Sequence, residues 1–318
     1  MTTSYAYYPG CSLTASAVEY DASTRAVLEA LGAELHEIPE WTCCGASAAG
    51  AVSRLLSLAL PARSLALAER ELPGMDVLAP CSACYLNLLR ARNETRADKA
   101  TRDRVGRALD AEGLTYAGAA PVRDLLDVLV NDLGAERLAK FRVRWLSGLT
   151  IAPYYGCQAL RPYRVFDDPE RPTSMDALIR AVGAEVLDWD MGARCCGASL
   201  MVTHKDQALA DTGAILAAAQ GADAIVTVCP MCQMNLEAWQ GRALDAAGGG
   251  EPVAVLYLPQ LLGLALGLGR AELGLGRNMV LTARLKKGLS KDERPEEEPI
   301  PEEGRETGAH TQPPQQGG

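Results

Sequence analysis

The chain has 318 residues and a mass of 33.8 kDa, with 48% hydrophobic and 22% charged residues. This composition is typical of an ordered globular protein and excludes collagen-like and wholly disordered classes. The net charge of -9 and the pI near 5.0 argue against a surface that neutralises nucleic-acid phosphates. No basic stretch followed by an apolar run opens the sequence, so we expect a cytoplasmic protein whose ten cysteines serve metal or redox chemistry rather than disulfides.

The hydrophobic pattern predicts helices and strands that alternate along the chain. The predicted elements are, in order, a helix at 14–31, a strand at 35–38, a helix at 52–72, a strand at 77–79, a helix at 173–182, a strand at 186–189, a helix at 205–219 and a strand at 224–228. Gly32 and Gly183 follow helices where a left-handed C-terminal cap is expected. Residues 251–269 predict a strand and a buried helix, because Pro259 and Gln260 leave apolar runs shorter than the ~20 residues of a membrane span. A helix lying on a membrane surface is the alternative for this segment.

The ten cysteines form two sets of five in the same order. The spacings are C-x31-CC-x36-C-x2-C and C-x37-CC-x32-C-x2-C. The first set is Cys11, Cys43, Cys44, Cys81 and Cys84, and the second is Cys157, Cys195, Cys196, Cys229 and Cys232. Neighbouring residues repeat as well, since Cys-Cys-Gly-Ala-Ser occurs at 43–47 and 195–199, and Asn87 and Asn235 each follow a set by three residues.

This repeat predicts an α/β protein made of two duplicated, Rossmann-like halves related by pseudo-twofold symmetry. The halves span residues 1–146 and 147–280, and each is a cysteine-rich α/β unit. Residues 281–318 are rich in Glu, Pro, Gly and Gln, and we expect a disordered acidic tail there.

The predicted strands place each set of cysteines at one edge of a sheet. Ligands of α/β units bind beyond the carboxyl ends of the strands, and both C-x2-C pairs directly follow a strand. Thiolates select zinc, copper(I) or iron-sulfur clusters. Five cysteines exceed the four that a tetrahedral zinc needs, and two adjacent cysteines diverge, so a multi-iron cluster in each half is favoured. Zinc and a dithiol-disulfide relay stay open as alternatives.

The double pattern of a lone cysteine, a Cys-Cys-Gly tripeptide and a C-x2-C pair resembles the B subunit of heterodisulfide reductase and its bacterial relatives, the CCG domain proteins. The resemblance covers approximately residues 5–275, although the segment between Cys196 and Cys229 is shorter than the family's usual pattern. It implies a noncubane 4Fe-4S cluster in each half, with all ten cysteines as ligands and no assigned catalytic side chain.

The resemblance also implies an activity and partners. The chain would be an oxidoreductase subunit that reduces or forms a disulfide between two small thiols by one-electron steps. A small ferredoxin-like iron-sulfur protein, similar to the C subunit of heterodisulfide reductase, and a flavoprotein similar to its A subunit would be the partners. Two alternatives come from relatives with the same motif: the electron-transfer and anchor subunit of an unusual succinate dehydrogenase, peripheral at the inner face of a membrane, and a component of a sulfur-oxidising complex.

Other side chains give weaker signals. The three histidines, at 36, 204 and 310, are expected on the surface without a catalytic role. The paired tyrosines at 7–8 and 154–155 are expected to pack in the core rather than line a pocket. Asn87 and Asn235 are expected either to bond to a cluster sulfur or to cap a helix.

Overall fold

A computed structural model describes residues 3–46 and 48–290 as an α/β protein with two parallel four-stranded sheets. The strands are β1 (Thr3–Tyr7), β2 (Ala33–Glu37), β3 (Asp76–Ala79), β4 (Val122–Asp124), β5 (Thr150–Tyr154), β6 (Glu185–Val186), β7 (Ala224–Thr227) and β8 (Ala254–Tyr257). The spatial order is β2-β1-β3-β4 in one sheet and β6-β5-β7-β8 in the other. The same order in both sheets confirms the predicted duplicated α/β fold.

Helices surround both sheets. In the first half they are α1 (Gly10–Leu13), α2 (Val18–Ala30), α3 (Ala48–Val52), α4 (Arg54–Glu71), α5 (Ser82–Ala97), α6 (Lys99–Asp110), α7 (Leu125–Asp127) and α8 (Gly134–Phe141). In the second half they are α9 (Ser174–Ala181), α10 (Lys205–Ala218), α11 (Pro230–Ala238), α12 (Gln240–Ala246), α13 (Leu258–Ala265) and α14 (Ala283–Gly288). A π-helical turn at Val128–Leu133 and 3-10 turns at Ala198–Leu200 and Leu275–Arg277 complete the chain.

The helix ends follow from local chemistry. Gly32 and Gly183 have φ angles of 74° and 86°, which is the left-handed conformation predicted for the residue after a helix. Ser53 interrupts the predicted helix at 52–72, because its backbone is extended. Its side chain caps α4 by accepting a hydrogen bond from the amide of Leu56.

Strand β6 is shorter than the prediction for 186–189, because it ends at Val186. The Trp189 indole donates a hydrogen bond to the carbonyl of Pro153 at 3.1 Å, so this residue joins the sheet edge through its side chain instead of its backbone.

The core contains large aromatic and aliphatic side chains. Tyr7, Tyr8 and Tyr154 are fully buried, as predicted for core residues. Tyr155 is also buried, at 1% exposed, but it lines a cavity as well, which differs from the prediction. Every residue of α13 is buried, and this helix packs against α2 of the first half. The segment at 251–269 is therefore a strand and a core helix, not a helix on a membrane surface. Within the described residues, none of the helices has the length and apolar character to cross a bilayer.

The folded chain extends past residue 281, where the sequence predicts a disordered tail. Thr282 caps α14 by accepting a hydrogen bond from the amide of Leu285, whose side chain is 1% exposed. Gly288 lies directly on the Leu149 side chain at the start of the second half. Residues up to 290 thus belong to the second half, and the rest of the predicted tail lies outside the described residues.

Candidate metal centres

The first set of cysteines comes together at the carboxyl edge of the first sheet. Cys11 follows β1, Cys43 and Cys44 follow β2, and the C-x2-C pair joins β3 to α5. The Cys43 and Cys11 sulfurs are 3.7 Å apart, and the Cys44 and Cys84 sulfurs are 3.4 Å apart. Cys81 also interacts with the sulfur of Cys84. Three loops thus deliver five sulfurs to one place, because parallel strands end at the same edge of a sheet.

The second set repeats this arrangement at the edge of the second sheet. The Cys196 and Cys232 sulfurs are 3.5 Å apart, and Cys157 interacts with the thiol of Cys195. One cavity is lined by all five cysteines of the set together with Tyr155 and Met231 at its wall. The sequence-predicted convergence is therefore present in both halves.

The crowded thiols shift one another's proton affinity. A hydrogen bond with Cys84 lowers the pKa of Cys44 to about 6, and the same bond raises the pKa of Cys84 well above its usual range. In the second set, a hydrogen bond with Cys157 lowers the pKa of Cys195 to about 6, whereas that bond and burial raise the pKa of Cys157. Neighbouring thiolates repel each other, so deprotonation of a whole set requires a compensating positive charge, which a metal centre supplies.

Backbone amides point at several of these sulfurs. The amides of Gly45 and Ala46 donate to Cys43 and Cys44, both at 3.4 Å, and the amide of Gly197 donates to Cys195 at 3.4 Å. Such donors stabilise thiolates and lower their electron-donating strength, which tunes any metal that they bind.

The repeated asparagines take different partners. Asn87 donates to the Cys44 sulfur at 3.6 Å and to the Ala46 carbonyl at 3.0 Å. Asn235 donates to the carbonyl of Cys196 at 2.7 Å and to the Thr212 hydroxyl at 2.8 Å. Each asparagine thus ties a helix that starts at a C-x2-C pair to the adjacent Cys-Cys-Gly loop, and sulfur contact is confined to Asn87.

Two glycines let the backbone approach the buried sulfurs. Gly10 and Gly156 have φ angles of 71° and 70°. A Cβ on Gly10 would lie 2.7 Å from the Cys84 sulfur, and one on Gly156 would lie 3.0 Å from the Cys232 sulfur. Glycine is required at both positions for the turn and for the space beside the sulfur.

The two sites adjoin each other through a residue that the sequence pattern does not single out. The Tyr20 hydroxyl lies 3.0 Å from the Pro80 carbonyl and 2.9 Å from the Val228 carbonyl, which precede Cys81 and Cys229. Tyr20 is the third residue of α2 and has no match in the repeat, so no signal in the sequence points to its role.

The sulfur arrangement fits a polynuclear centre. All ten cysteines are free, and the sulfur pairs at 3.4 to 3.7 Å are far longer than a disulfide bond. Among residues 3–46 and 48–290, no three histidine, cysteine, aspartate or glutamate side chains surround a position for one metal ion. A cluster uses its thiolates at separate irons, so five sulfurs in adjacent pairs suit it better than a single tetrahedral ion.

The two histidines within the described residues take no part in either site. The His36 side chain is 42% exposed beside Glu34, and His204 is exposed beside Thr203. His310 lies outside the described residues.

Comparison with known proteins assigns the repeated unit. Residues 5–89 and 151–237 both match the cysteine-rich domain named CCG. The chain belongs to the CCG cysteine-rich domain family. The predicted resemblance is thereby confirmed, and the two CCG domains contain the two sets of cysteines.

Curated CCG relatives align along most of the chain. It is 38% identical over 289 residues to the 8-methylmenaquinol:fumarate reductase membrane anchor subunit of Wolinella succinogenes, covering 90% of this chain and 100% of the relative. It is 31% identical to the B subunit of the ferredoxin/F(420)H(2)-dependent CoB-CoM heterodisulfide reductase of Methanosarcina acetivorans, covering 86% of this chain and 92% of that one.

A solved structure has the same fold as this CCG protein. A hypothetical protein from Helicobacter pylori matches with a TM-score of 0.68 and 17% identity. The match covers 87% of this chain and 52% of the Helicobacter chain, and at this identity it supports the fold alone.

Proposed function

We propose that this CCG protein is the iron-sulfur electron-transfer subunit of a multi-subunit oxidoreductase, and that each set of five cysteines holds one noncubane 4Fe-4S cluster. The observation that carries the proposal is the duplication of a complete five-sulfur site, with free thiols and with amide donors aimed at the sulfurs. When bound, the clusters would supply or accept electrons one at a time.

The reaction that we propose is reduction or formation of a disulfide between two small thiols. Reduction consumes two electrons and two protons and yields two thiols, so two one-electron centres in one chain match its stoichiometry. Cys11, Cys43 and Cys195 are exposed, which leaves a solvent-facing side at each site where a small molecule could enter. The relatives named as heterodisulfide reductase B subunits support this chemistry and support the presence of partner subunits. We propose that the partners are the flavoprotein and the small iron-sulfur protein that the sequence resemblance implies.

The protein's own residues would prepare each site. Gly10 and Gly156 make room for the buried Cys84 and Cys232 sulfurs, and the amides of the Cys-Cys-Gly loops hold the adjacent cysteines in place. Asn87 and Asn235 fix those loops against the helices that begin at the C-x2-C pairs.

Metal analysis of anaerobically purified protein tests the proposal. We expect iron and acid-labile sulfide in the wild type, and each of C84S and C232S to lose the iron of its own set alone. Met231→Leu is the matched control, because this side chain lines the second cavity without supplying a thiolate. Zinc as the sole metal, or unchanged iron in both serine variants, would contradict the proposal.

A second function is favoured by the 38% identity to a fumarate reductase anchor protein over the whole length of that relative. In this alternative the same centres exchange electrons with a quinol and no disulfide is involved. Electron paramagnetic resonance separates the two. Signals that change with a thiol or disulfide but not with a menaquinol analogue support the first function, and the reverse result supports the second.

A further inference from the structure

One tyrosine connects the backbones of the two cysteine sites. Tyr20 is fully buried in α2, and its hydroxyl is within hydrogen-bond distance of the carbonyls of Pro80, at 3.0 Å, and Val228, at 2.9 Å. Each of these residues comes directly before the first cysteine of a C-x2-C pair. The hydroxyl has a single proton, so it shares one donor between a loop of the first half and a loop of the second.

The tyrosine ring is held from the second half. It stacks on Tyr257 with ring centroids 4.1 Å apart and planes 2° from parallel. Tyr257 ends β8, and its hydroxyl donates to Gln233 of α11 at 3.3 Å. The Ser82 hydroxyl, from inside the first C-x2-C pair, also reaches the Val228 carbonyl at 3.4 Å. The Tyr20 hydroxyl therefore has little freedom to leave either loop.

We infer that Tyr20 is a positioning residue that fastens the two C-x2-C loops to each other and so fixes the placement of one cysteine site relative to the other. The part of this inference that concerns clusters rests on the proposed function, whereas the fastening of the loops does not. Burial raises the pKa of Tyr20 well above its usual value, so the phenol keeps its proton and stays a donor.

The first half supplies the hydroxyl that connects the two loops, and this makes the inference testable. When the repeats are aligned on Gly32 and Gly183, the position of Tyr20 corresponds to Arg171, which lies before α9. In the part of the chain that the structure describes, the side chains that donate to the Pro80 and Val228 carbonyls all come from the first half. Loss of the Tyr20 hydroxyl, in the first half, should thus disturb the second site. If Tyr20 had only a local structural role in the first half, the second site would be unchanged.

The test compares Tyr20→Phe with Tyr7→Phe. Y20F keeps the stacked ring and removes the shared donor. Y7F is the control, because Tyr7 is equally buried in the same half and its hydroxyl donates to Asp21 at 2.7 Å, within that half. Amide hydrogen exchange is measured on metal-free and metal-loaded protein, and paramagnetic resonance is recorded on the loaded form.

We expect the amides of Cys81 and Cys229 to exchange about fivefold to tenfold faster in Y20F, which is the factor for one lost buried hydrogen bond. Y7F should leave both rates unchanged. In loaded Y20F the signals of both centres should shift at unchanged iron content. Faster exchange at Cys81 alone, or wild-type exchange at both loops, would overturn the inference.

A measurement on the wild type covers the case in which Y20F does not fold. In mild denaturant the amides of Cys81 and Cys229 should lose protection together, and independent opening of the Cys229 loop would overturn the inference. Iron-free wild-type protein would refute the proposed function but leave the exchange results standing. Unchanged exchange in a fully loaded Y20F would refute only the role of Tyr20.

Discussion

Gly10→Ala is the substitution whose effect on the first site can be worked out most directly. Gly10 has a φ of 71°, and an added Cβ would lie 2.7 Å from the Cys84 sulfur. Gly74→Ala is a matched control in the same half, since its φ is 83° and a Cβ there meets nothing within 4 Å. The two variants share the backbone strain and differ in the contact with sulfur.

The distances set the size of each effect. An alanine in the left-handed region costs about 1–2 kcal/mol, and we expect this loss of unfolding free energy in both variants. In Gly10→Ala the carbon is about 0.7 Å closer than an ordinary contact of 3.4 Å, so Cys84 must move. The length of a metal-thiolate bond varies by only about 0.2 Å, so we expect this displacement to remove Cys84 as a ligand.

The assay is iron content after anaerobic purification, together with urea unfolding. G10A should lose the iron of the first site and G74A should retain it, at similar stability of the metal-free proteins. Gly156→Ala, with its Cβ 3.0 Å from the Cys232 sulfur, should show a smaller loss at the second site, with Gly148→Ala as its control. Full iron in G10A would refute the reasoning that this glycine makes room for a ligand.

Three further substitutions test buried groups. Asp124 is fully buried and its Oδ2 atom has no hydrogen-bond partner. Burial raises the pKa of this carboxyl, because the folded protein disfavours the charged form. The free energy of unfolding therefore falls as the pH rises above ~3.9, the pKa of the unfolded chain. Asp124→Asn should therefore be more stable than wild type at pH 7 in urea unfolding, with the difference vanishing near pH 3, and an equal gain at both pH values would contradict this. Leu285→Ala should cost about 2–5 kcal/mol if α14 is part of the core, and a thermal unfolding curve identical to wild type would show that it is not. Asn235→Ala removes the donor to the Cys196 carbonyl and should cost about 1–3 kcal/mol and lower iron at the second site, whereas normal iron would show that this bond is dispensable for the site.

The repeat made the sites predictable, because each cysteine lies in a segment that follows a strand, and parallel strands end at one edge of a sheet. The buried α13 was also predictable, since Pro259 breaks an apolar run that is too short for a membrane span. Both predictions use only local patterns and the packing rule for α/β sheets.

Contacts between distant segments could not be predicted from the sequence. Tyr20 and Val228 are 208 positions apart, and no periodicity marks a hydroxyl that meets a carbonyl across the two halves. The burial of Leu285 could not be predicted for another reason. Its helix, α14, lies in a stretch with few apolar residues, and the contact of this helix with Leu149, through Gly288, joins segments that are far apart in the sequence. Asn87 and Asn235 have different partners although the Cys-Cys-Gly-Ala-Ser segments that they contact are identical, so the repeat does not reveal this difference.

The packing of α13 against α2 has a consequence for how such a protein could arise. A polypeptide with only one lobe would leave the fully buried and mostly apolar α13, or the surface of α2 that contacts it, open to water. Pairing with a second lobe that covers this surface would therefore stabilise a single lobe. Joining both lobes in one chain makes this pairing independent of protein concentration, and it allows each lobe to have side chains, such as Tyr20, that the other lacks.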